Sequence, residues 1–231
     1  MNTYKGKFIV IEGTDGSGKA TQIKLLAQHL RRTHRQFHVV DFPQYGKKSA
    51  VLVEKYLRGA FGPIERVDPY LTSLFYAVDR YSVQERLRQW LKKDIVIANR
   101  YTTANMIHQA AKIKSLDGQK KYIAWVKHLE YEVLALPKPG IVFFLDVPLS
   151  HSARLVLRKG SRKYLLGKKR DLAEQNLRHQ QAAYAVGRML CRTGAWVRVP
   201  CTREGHLLSP GEIHEKICSV VQRSLLKKRH T

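Results

Sequence analysis

A glycine-rich segment near the start of the chain has the residue types that bind phosphate groups. Glycine lets the backbone turn so that successive N–H groups point inward, toward the oxygens of a bound phosphate. Lys19 adds a full positive charge, and a helix that begins beside it adds a partial one. The sequence therefore predicts that a nucleotide phosphate binds to the following residues: Gly13, Thr14, Asp15, Gly16, Ser17, Gly18, Lys19, Ala20 and Thr21.

The residues on either side of this segment decide between a phosphate-binding loop and an ordinary glycine turn, because the spacing alone recurs by chance. The run Phe8–Glu12 precedes the glycines and predicts a buried strand. The amphipathic pattern Thr21–His34 follows them and predicts a helix. Strand, glycine-rich loop and helix in this order are what a P-loop requires, so the phosphate-binding interpretation is favoured.

Four further runs rich in Val, Ile and Phe predict strands that alternate with helices. All the predicted strands are Phe8–Glu12, Phe37–Phe42, Asp94–Asn99, Gly140–Val147 and Ala195–Val199. The predicted helices are Thr21–His34, Leu71–Lys92, Tyr122–Ala135, Leu172–Cys191 and Pro210–Leu226. Such alternation predicts a three-layer α/β/α fold with a five-stranded parallel sheet covered on both faces. Active residues are then expected at the carboxyl ends of the strands, where Glu12, Asp41, Asn99 and Asp146 lie.

The composition excludes several classes of protein and leaves one unusual feature, the charge. The 231 residues include 42 Lys and Arg against 18 Asp and Glu, a net charge of +24. This excess predicts salt-sensitive attraction to polyanions such as RNA, and the alternative is a solvated surface suited to the ionic conditions of the cell. The three separated cysteines argue against a disulfide scaffold or a zinc site, and the ten histidines form no ligand-like cluster in the sequence. Apolar runs fall short of the about 20 residues of a membrane span, and no signal-peptide pattern is present, so a cytoplasmic location is expected.

The segment Arg158–Arg170 differs from the rest of the chain, since seven of its thirteen residues are basic and two are glycines. One interpretation is a mobile lid that closes basic side chains over phosphates. The other is a solvated loop.

Six motifs follow one another in the order found in thymidylate kinases. They read F-I-V-I-E-G-T-D-G-S-G-K at 8–19, D-F-P-Q-Y-G at 41–46, Y-A-V-D-R at 76–80, N-R-Y at 99–101, L-P-K-P-G-I-V-F-F-L-D-V-P at 136–148 and R-D-L-A-E at 170–174. Each motif is weak alone, but six in order are specific. From Lys7 to about Val221 the chain therefore resembles a thymidylate kinase of the P-loop nucleoside-monophosphate kinase superfamily.

This resemblance implies that a single domain, residues 1–231, transfers the γ-phosphoryl group of ATP to dTMP. It implies that Lys19 binds the phosphates of ATP and that Arg100 bridges the donor and acceptor phosphates. It also implies that Asp15 accepts a hydrogen bond from the 3′-hydroxyl of the monophosphate. It places a lid at about residues 158–171, whose basic residues neutralise the transferring group; these are Arg162, Lys163 and Arg170. It also implies a homodimer, and the apolar positions of the predicted helix Leu71–Lys92 exceed what one core face needs, namely Leu71, Leu74, Phe75 and Val78.

The resemblance also assigns the monophosphate pocket. Phe42 and Tyr45 belong to the segment that lines it. Tyr76 would stack on the thymine ring, and Arg80, four residues later on the same helix face, would bind its O4 atom. For Tyr76 the alternative is core packing, whereas a buried arginine needs partners. By the same resemblance, Asn105 matches a residue that contacts the pyrimidine. His108 stands where an aromatic residue usually excludes ribose.

The chain departs from the family pattern at two positions that concern the metal. Ala20 replaces the Ser or Thr that normally helps to hold Mg²⁺, and Asn99 replaces the aspartate of a D-R-Y motif. We expect Mg²⁺ to be bound with ATP and held mainly by phosphates and water. The residues that would act through those waters are Glu12, Asp171 and Glu174. For Glu12 the alternative is that it pairs with Arg100 and positions it.

Two other functions remain open from the residues alone. The chain could be a weakened P-loop protein that binds nucleic acid, a reading that Ala20, Asn99 and the net charge of +24 favour. It could also be a kinase for another nucleoside monophosphate or for a deoxynucleoside.

Overall fold

The computed structural model describes residues 7–152 and 177–226, and in them the five predicted strands form one parallel sheet. The strands are β1 (Phe8–Glu12), β2 (Phe37–Asp41), β3 (Ile95–Asn99), β4 (Ile141–Asp146) and β5 (Val197–Pro200). Their spatial order is β2-β3-β1-β4-β5, with every neighbouring pair parallel. The predicted sheet is thereby confirmed, and β1, which leads into the glycine-rich loop, lies at its centre.

Helices connect these strands and cover the sheet. They are α1 (Lys19–Arg32), α2 (Val51–Leu57), α3 (Pro69–Tyr81), α4 (Gln84–Lys93), α5 (Thr102–His108), α6 (Leu116–Lys127), α7 (Leu177–Arg192) and α8 (Pro210–Leu226). Short 3₁₀ turns lie at Lys48–Ala50 and Ala110–Lys112, and a π-helical turn, His128–Val133, continues α6. A small hairpin of β6 (Thr202–Arg203) and β7 (His206–Leu207) precedes α8.

Alternating side chains of the central strands build two hydrophobic layers, one on each face of the sheet. In β1 all five residues are buried. Phe8 and Val10 pack with apolar residues of α4, α5, α6 and α7, whereas Ile9 and Ile11 pack with those of α1 and α8. Successive residues of a strand point to opposite faces, so an apolar run without alternation marks a strand buried on both sides. The three-layer α/β/α architecture is confirmed.

The single helix predicted for Leu71–Lys92 is two helices, because side chains capture the carbonyl group that would continue it. The carbonyl of Asp79 accepts hydrogen bonds from Ser82 Oγ at 2.8 Å and from Gln44 Nε2 at 3.0 Å. The N–H of Val83 turns instead to the carbonyl of Arg80 at 3.3 Å. The i→i−4 ladder is interrupted there, and α4 begins at Gln84.

The carboxyl ends of the strands meet at one edge of the sheet, where the loops and helix starts that carry the motifs follow. In the register, Asp41 pairs with Asn99 and Ile11 pairs with Asn99 from the other side. Glu12, the last residue of β1, therefore lies next to the end of β3. The strand-end residues picked out in the sequence share this edge, as parallel topology requires.

Candidate active site

The loop Gly13–Lys19 joins β1 to α1 and depends on its glycines. Gly13, Gly16 and Gly18 have φ values of 151°, 80° and 88°, which glycine adopts readily and other residues rarely do. A Cβ atom on Gly13 would lie 2.5 Å from Ser17 Oγ, so a side chain here would also force Ser17 to move. No side chain caps α1, which leaves its N-terminal N–H groups directed at the loop. The arrangement is suited to an anion.

Lys19 is buried and folded back over this loop. Its Nζ atom donates hydrogen bonds to the carbonyl oxygens of Gly13 and Thr14, both at 2.9 Å. The hydroxyl oxygens of Thr14 and Ser17 are buried without a hydrogen-bond partner in the described part of the chain. Buried polar atoms of this kind are rare in native proteins and point to a ligand or ordered water.

Arg100, directly after β3, connects Asp15 of the loop with His108 of α5. Its Nη2 atom donates to Asp15 Oδ1 at 2.5 Å, and its Nη1 atom lies 2.6 Å from His108 Nε2. Because arginine can only donate, His108 Nε2 is the acceptor and the imidazole is neutral. Burial and then the charge of Arg100 lower the pKa of His108 well below its usual value. Gln180 of α7, which the sequence analysis did not identify, donates to Asp15 Oδ2 at 3.1 Å.

Glu12 is completely buried at the end of β1. Its Oε1 atom accepts hydrogen bonds from Thr103 Oγ1 at 2.7 Å and from the backbone N–H of Tyr101 at 3.3 Å. Its Oε2 atom has no hydrogen-bond partner among the described residues. Burial raises the pKa of Glu12, while the charges of Arg100 and Lys19 and its hydrogen bonds act in the opposite direction. Glu12 thus presents one unused carboxylate oxygen at the edge of the sheet that carries the glycine-rich loop.

Asn99 ends β3 and bonds sideways rather than into the loop. Its Nδ2 atom donates to Asp41 Oδ1 at 2.8 Å. Its Oδ1 atom is buried and has no hydrogen-bond partner within residues 7–152 and 177–226. The substitution of aspartate by asparagine therefore keeps an oxygen at this strand end but removes its charge.

A buried ion pair forms between Arg80 and Glu130. The Nε and Nη2 atoms of Arg80 each donate to Glu130 at 2.6 Å, and Nη1 donates to the carbonyl of Tyr101 at 3.3 Å. Both side chains are almost fully buried, with exposures of 1% and 0%. Guanidinium has five N–H groups, so two remain without a partner among the residues that the structure describes.

Glu130 also orients the side chain of Asn105. It accepts hydrogen bonds from Thr102 Oγ1 at 2.7 Å and from Asn105 Nδ2 at 3.1 Å. The same Nδ2 atom lies 3.4 Å from the carbonyl oxygen of Ser73. Since carboxylate and carbonyl oxygens only accept, the amide nitrogen of Asn105 must face them, and its oxygen is left on the other side.

Glu130 could not be identified from the sequence as the partner that a buried Arg80 needs. The chain offers two acids in the same turn, Glu130 and Glu132, with no sequence signal that separates them. In the structure Glu132 is exposed and bonded to Lys138, and Glu130 faces inward.

A cleft of about 690 Å³ is lined by Lys19, Asn99, Arg100, Arg80 and Asn105 and so joins the loop and the Arg80 pocket into one site. Its wall includes every residue that the sequence analysis assigned to the substrate, namely Asp15, Phe42, Tyr45, Tyr76, Arg80, Arg100, Asn105 and His108. Lys19, Ala20 and His179 line it as well. The segment 158–171 and the residues Arg162, Lys163, Arg170, Asp171 and Glu174 lie outside the described residues.

Comparison with known proteins gives a consistent result. The model of the family described as thymidylate kinase matches residues 11–190. The thymidylate kinase of Mycobacterium tuberculosis (strain H37Rv) is 31% identical over 193 residues, which cover 80% of this chain and 86% of that protein. A probable thymidylate kinase of Pyrobaculum aerophilum is 31% identical over 163 residues, 68% of this chain and 73% of its own. Among solved structures, a thymidylate kinase from Candida albicans superposes with a TM-score of 0.66 at 18% identity, covering 95% of this chain and 92% of that one, and so supports the fold.

Proposed function

The chain belongs to the thymidylate kinase family, and we propose that it transfers the γ-phosphoryl group of ATP to dTMP, giving dTDP and ADP. The observation that carries this proposal is the single cleft whose wall holds Lys19, Arg100 and Asp15 at one part and Arg80 with Asn105 at another. A binding protein for polyanions has no need of a buried pocket of this kind.

The donor end of the cleft fits a nucleoside triphosphate. The backbone N–H groups of the loop and the start of α1 would bind the phosphates of ATP, and Lys19 would exchange its carbonyl contacts for phosphate oxygens. Arg100 would turn from Asp15 toward the transferring phosphoryl group. Asp15 could then accept a hydrogen bond from the 3′-hydroxyl of dTMP. Phosphoryl transfer needs little beyond such positioning and charge neutralisation. Arg170 is proposed to add to this neutralisation.

The acceptor end fits thymine by the polarity of its hydrogen-bonding groups. Arg80 offers N–H donors for a carbonyl oxygen, and the free oxygen of Asn105 offers an acceptor for a ring N–H. The O4 and N3–H groups of thymine or uracil complement this pair, whereas cytosine presents the reverse pattern. Tyr76 lines the same cleft and supplies an aromatic face for stacking on the base.

Mg²⁺ is proposed to accompany ATP. The site fits a hard cation, since the unpartnered buried oxygens Glu12 Oε2 and Asn99 Oδ1 lie on neighbouring strand ends. When bound, Mg²⁺ neutralises the negative charge of the donor phosphates. Glu12 would hold it through water, and the side chain of Ala20 contributes no oxygen. Asp171 and Glu174 remain proposed contributors.

The remaining proposals concern partners and location. Three apolar side chains of α3, Leu71, Leu74 and Val78, are exposed, which supports a homodimer formed through this helix. We propose a cytoplasmic location and non-specific contact of the basic surface with RNA. Within the described part of the chain, the length and hydropathy needed to cross a bilayer do not occur together in any helix.

One assay of the purified protein separates the possible activities. ADP release is measured with ATP and each of dTMP, dUMP, UMP, dCMP and thymidine. We expect dTMP to be the best acceptor, dUMP to be weaker, and the ribonucleotide to be used measurably because His108 replaces a bulkier aromatic residue. A higher initial rate with UMP, dCMP or thymidine would reassign the substrate. The absence of ADP release with every acceptor would favour a binding protein.

A matched pair of variants ties this activity to the loop. Lys19→Ala removes the buried ammonium group, and Lys24→Ala removes an exposed one five residues later on the same helix. We expect the first to abolish ADP release and the second to leave it unchanged. Equal loss in both variants would contradict the assignment of Lys19.

A further inference from the structure

Three metal-ligating side chains lie together between α1 and α8, outside the cleft. His214 and Cys218 are four residues apart on α8 and therefore share one face of that helix. His29 of α1 lies opposite, and its ring meets that of His214 edge to face, with centroids 6.1 Å apart. One nitrogen or sulfur atom from each residue lies within 4.8 Å of the other two.

This set of donors has the chemistry of a zinc site. Two imidazole nitrogens and a thiolate suit Zn²⁺, while Mg²⁺ and Ca²⁺ require oxygen. Tetrahedral zinc holds its ligand atoms about 3.3–3.6 Å apart, given its bond lengths to nitrogen and sulfur. Cys218 Sγ already lies 3.1 Å from His214 Nε2, and all three ligand atoms lie within 4.8 Å of one another, close to this spacing.

We propose that His29, His214 and Cys218 bind one Zn²⁺ ion, with water as the fourth ligand. The packing around them supports a preformed site. Leu26 and Leu30 of α1 and Ile217 and Val221 of α8 belong to one buried cluster, which fixes the two helices against each other. His29 and His214 are only partly buried and leave a path for the ion, whereas Cys218 is 9% exposed.

Without metal, the thiol of Cys218 and the imidazole of His214 share a hydrogen bond of 3.1 Å between Sγ and Nε2. Binding of Zn²⁺ breaks the S–H bond, forms a Zn–S bond and releases the proton to water, with no change in oxidation state. Arg32, one turn further along α1, brings a positive charge near His214 and opposes a cation. It is exposed, so solvent weakens this opposition.

The site is remote from the cleft. His29 is ten residues beyond Lys19 on α1, about 15 Å along the helix axis. A metal ion at this distance would join α8 to α1 and stabilise the fold rather than take part in phosphoryl transfer. Zinc binding at this site can therefore be tested independently of which nucleotide the cleft binds.

Titration of the purified full-length protein with Co²⁺ and Zn²⁺ tests the site directly. Co²⁺ bound by a thiolate in a tetrahedral site gives a sulfur-to-metal charge-transfer band, and Zn²⁺ should displace it at one equivalent. Zn²⁺ should also raise the melting temperature, since it binds the folded state. We expect Cys218→Ser to lose the band and Cys191→Ser, which alters another partly buried thiol, to keep it. His29→Gln, at a partly exposed position, should weaken Zn²⁺ binding at least tenfold, and His206→Gln, in the exposed hairpin, should leave it unchanged.

Several results would overturn the proposal. They are the absence of a stoichiometric charge-transfer band in the unaltered protein, its persistence in Cys218→Ser, and equal Zn²⁺ affinity in His29→Gln and the unaltered protein. If Cys218→Ser does not fold, the His29→Gln variant and protection of the Cys218 thiol from alkylation by Zn²⁺ decide the question. An unprotected thiol in the presence of saturating Zn²⁺ contradicts a Zn–S bond.

Discussion

Glu130 determines which atoms of Arg80 and Asn105 face the cleft. Its carboxylate pairs with two nitrogens of Arg80 and with the amide nitrogen of Asn105. Rotation of Arg80 would leave a buried charge unpaired, which is costly in a protein interior. Reversal of the Asn105 amide would place its oxygen against the carboxylate of Glu130, where two acceptors would face each other. The proposed specificity for a pyrimidine with O4 and N3–H would thus depend on a residue that orients the two base-binding side chains.

Replacing Glu130 by glutamine should weaken both binding and discrimination. An NH₂ group, which donates, replaces one carboxylate oxygen, which accepts. Arg80 therefore loses a hydrogen-bond partner, and the amide of Asn105 is free to reverse. We expect KM for dTMP to rise roughly 10–100-fold, as for the loss of a charged hydrogen bond, and the preference for dTMP over dCMP to fall. Steady-state kinetics with both acceptors measure this.

The control for Glu130→Gln is Glu132→Gln, which removes an exposed carboxylate two residues away. It should leave KM and the dTMP preference unchanged, since exposed ion pairs contribute little. Urea unfolding of both variants separates lost binding from lost stability. An unchanged ratio of dTMP to dCMP use in a folded Glu130→Gln protein would contradict the orienting role.

Glu12→Gln tests the proposed metal role. The unpartnered Oε2 atom of Glu12 has the chemistry to hold Mg²⁺ through water, and glutamine lacks the charge. We expect a higher Mg²⁺ concentration for the half-maximal rate and nearly unchanged dTMP affinity, measured by Mg²⁺ titration at fixed ATP. Glu85→Gln, an exposed acid on α4, serves as control. Lost dTMP affinity at unchanged Mg²⁺ dependence would instead mean that Glu12 positions Arg100.

His179 should make the folded protein sensitive to mild acid. Burial, followed by the charge of Lys112, lowers the pKa of His179 from 6.5 to about 4. Between these values the unfolded chain binds a proton that the folded one does not, so stability is present above pH 6.5 and is lost as the pH falls toward 4. The shift corresponds to roughly 3 kcal/mol of unfolding free energy. His179→Gln should flatten the pH dependence of the free energy of urea unfolding in this range. His128→Gln, which alters an exposed histidine, should leave that dependence unchanged. Equal slopes of unfolding free energy against pH in the two variants would contradict the prediction.

At the scale of elements, the buried strands could be predicted from the sequence, whereas a fully buried helix and a helix end set by distant contacts could not. The sheet strands are short apolar runs buried on both faces, and each lies within two residues of its prediction. Helix α5, Thr102–His108, was missed because all seven residues are buried, which removes the polar positions from which a helical period is recognised. The end of α3 depends on Gln44, far away in the sequence.

The same reasoning applies to the candidate site. The loop residues, Arg100, Arg80 and Asn105 came from motifs, because a local pattern fixes their chemistry. Glu130 and Gln180 contribute through contacts that only the fold creates, over 50 and 165 residues respectively. Sequence reasoning therefore identified the groups that would touch substrate more readily than those that orient them.

Helix α3 carries the predicted dimer interface. Leu71, Leu74 and Val78 are 48%, 43% and 53% exposed, whereas Phe75 packs inward. Positions 71, 74 and 78 lie on one side of the helix, so they form an apolar stripe that a second copy would cover.

Light scattering tests this stripe. We expect a particle of twice 26.6 kDa at moderate salt, and weaker association at low salt because each chain has a charge of +24. A variant with Leu74→Glu and Val78→Glu should be monomeric. Leu116→Glu, which alters an equally exposed apolar residue on α6, should still dimerise. A mass of 26.6 kDa at both salt concentrations would exclude the homodimer.

At the scale of the whole molecule, the net charge of +24 exceeds what one nucleotide cleft requires. Charge of one sign attracts polyanions over distances set by ionic strength, and it acts on any nucleic acid sequence. Part of this charge lies in Lys227, Lys228 and Arg229 and in the segment Arg158–Arg170, both outside the described residues. The proposed contact with RNA therefore rests on the charge alone and predicts binding without sequence preference.

Single-stranded RNA of mixed and of uniform sequence should bind with similar affinity at low salt and lose it steeply as salt is added. Each phosphate contact contributes about 0.7 to the slope of log affinity against log salt for single strands. Replacing Lys227, Lys228 and Arg229 by glutamine removes three charges and should lower that slope by about 2 if all three contact phosphates. At about 0.5 M salt, charges more than a few ångströms apart are largely screened. RNA binding that persists at this salt concentration would mean that interactions other than charge hold the RNA.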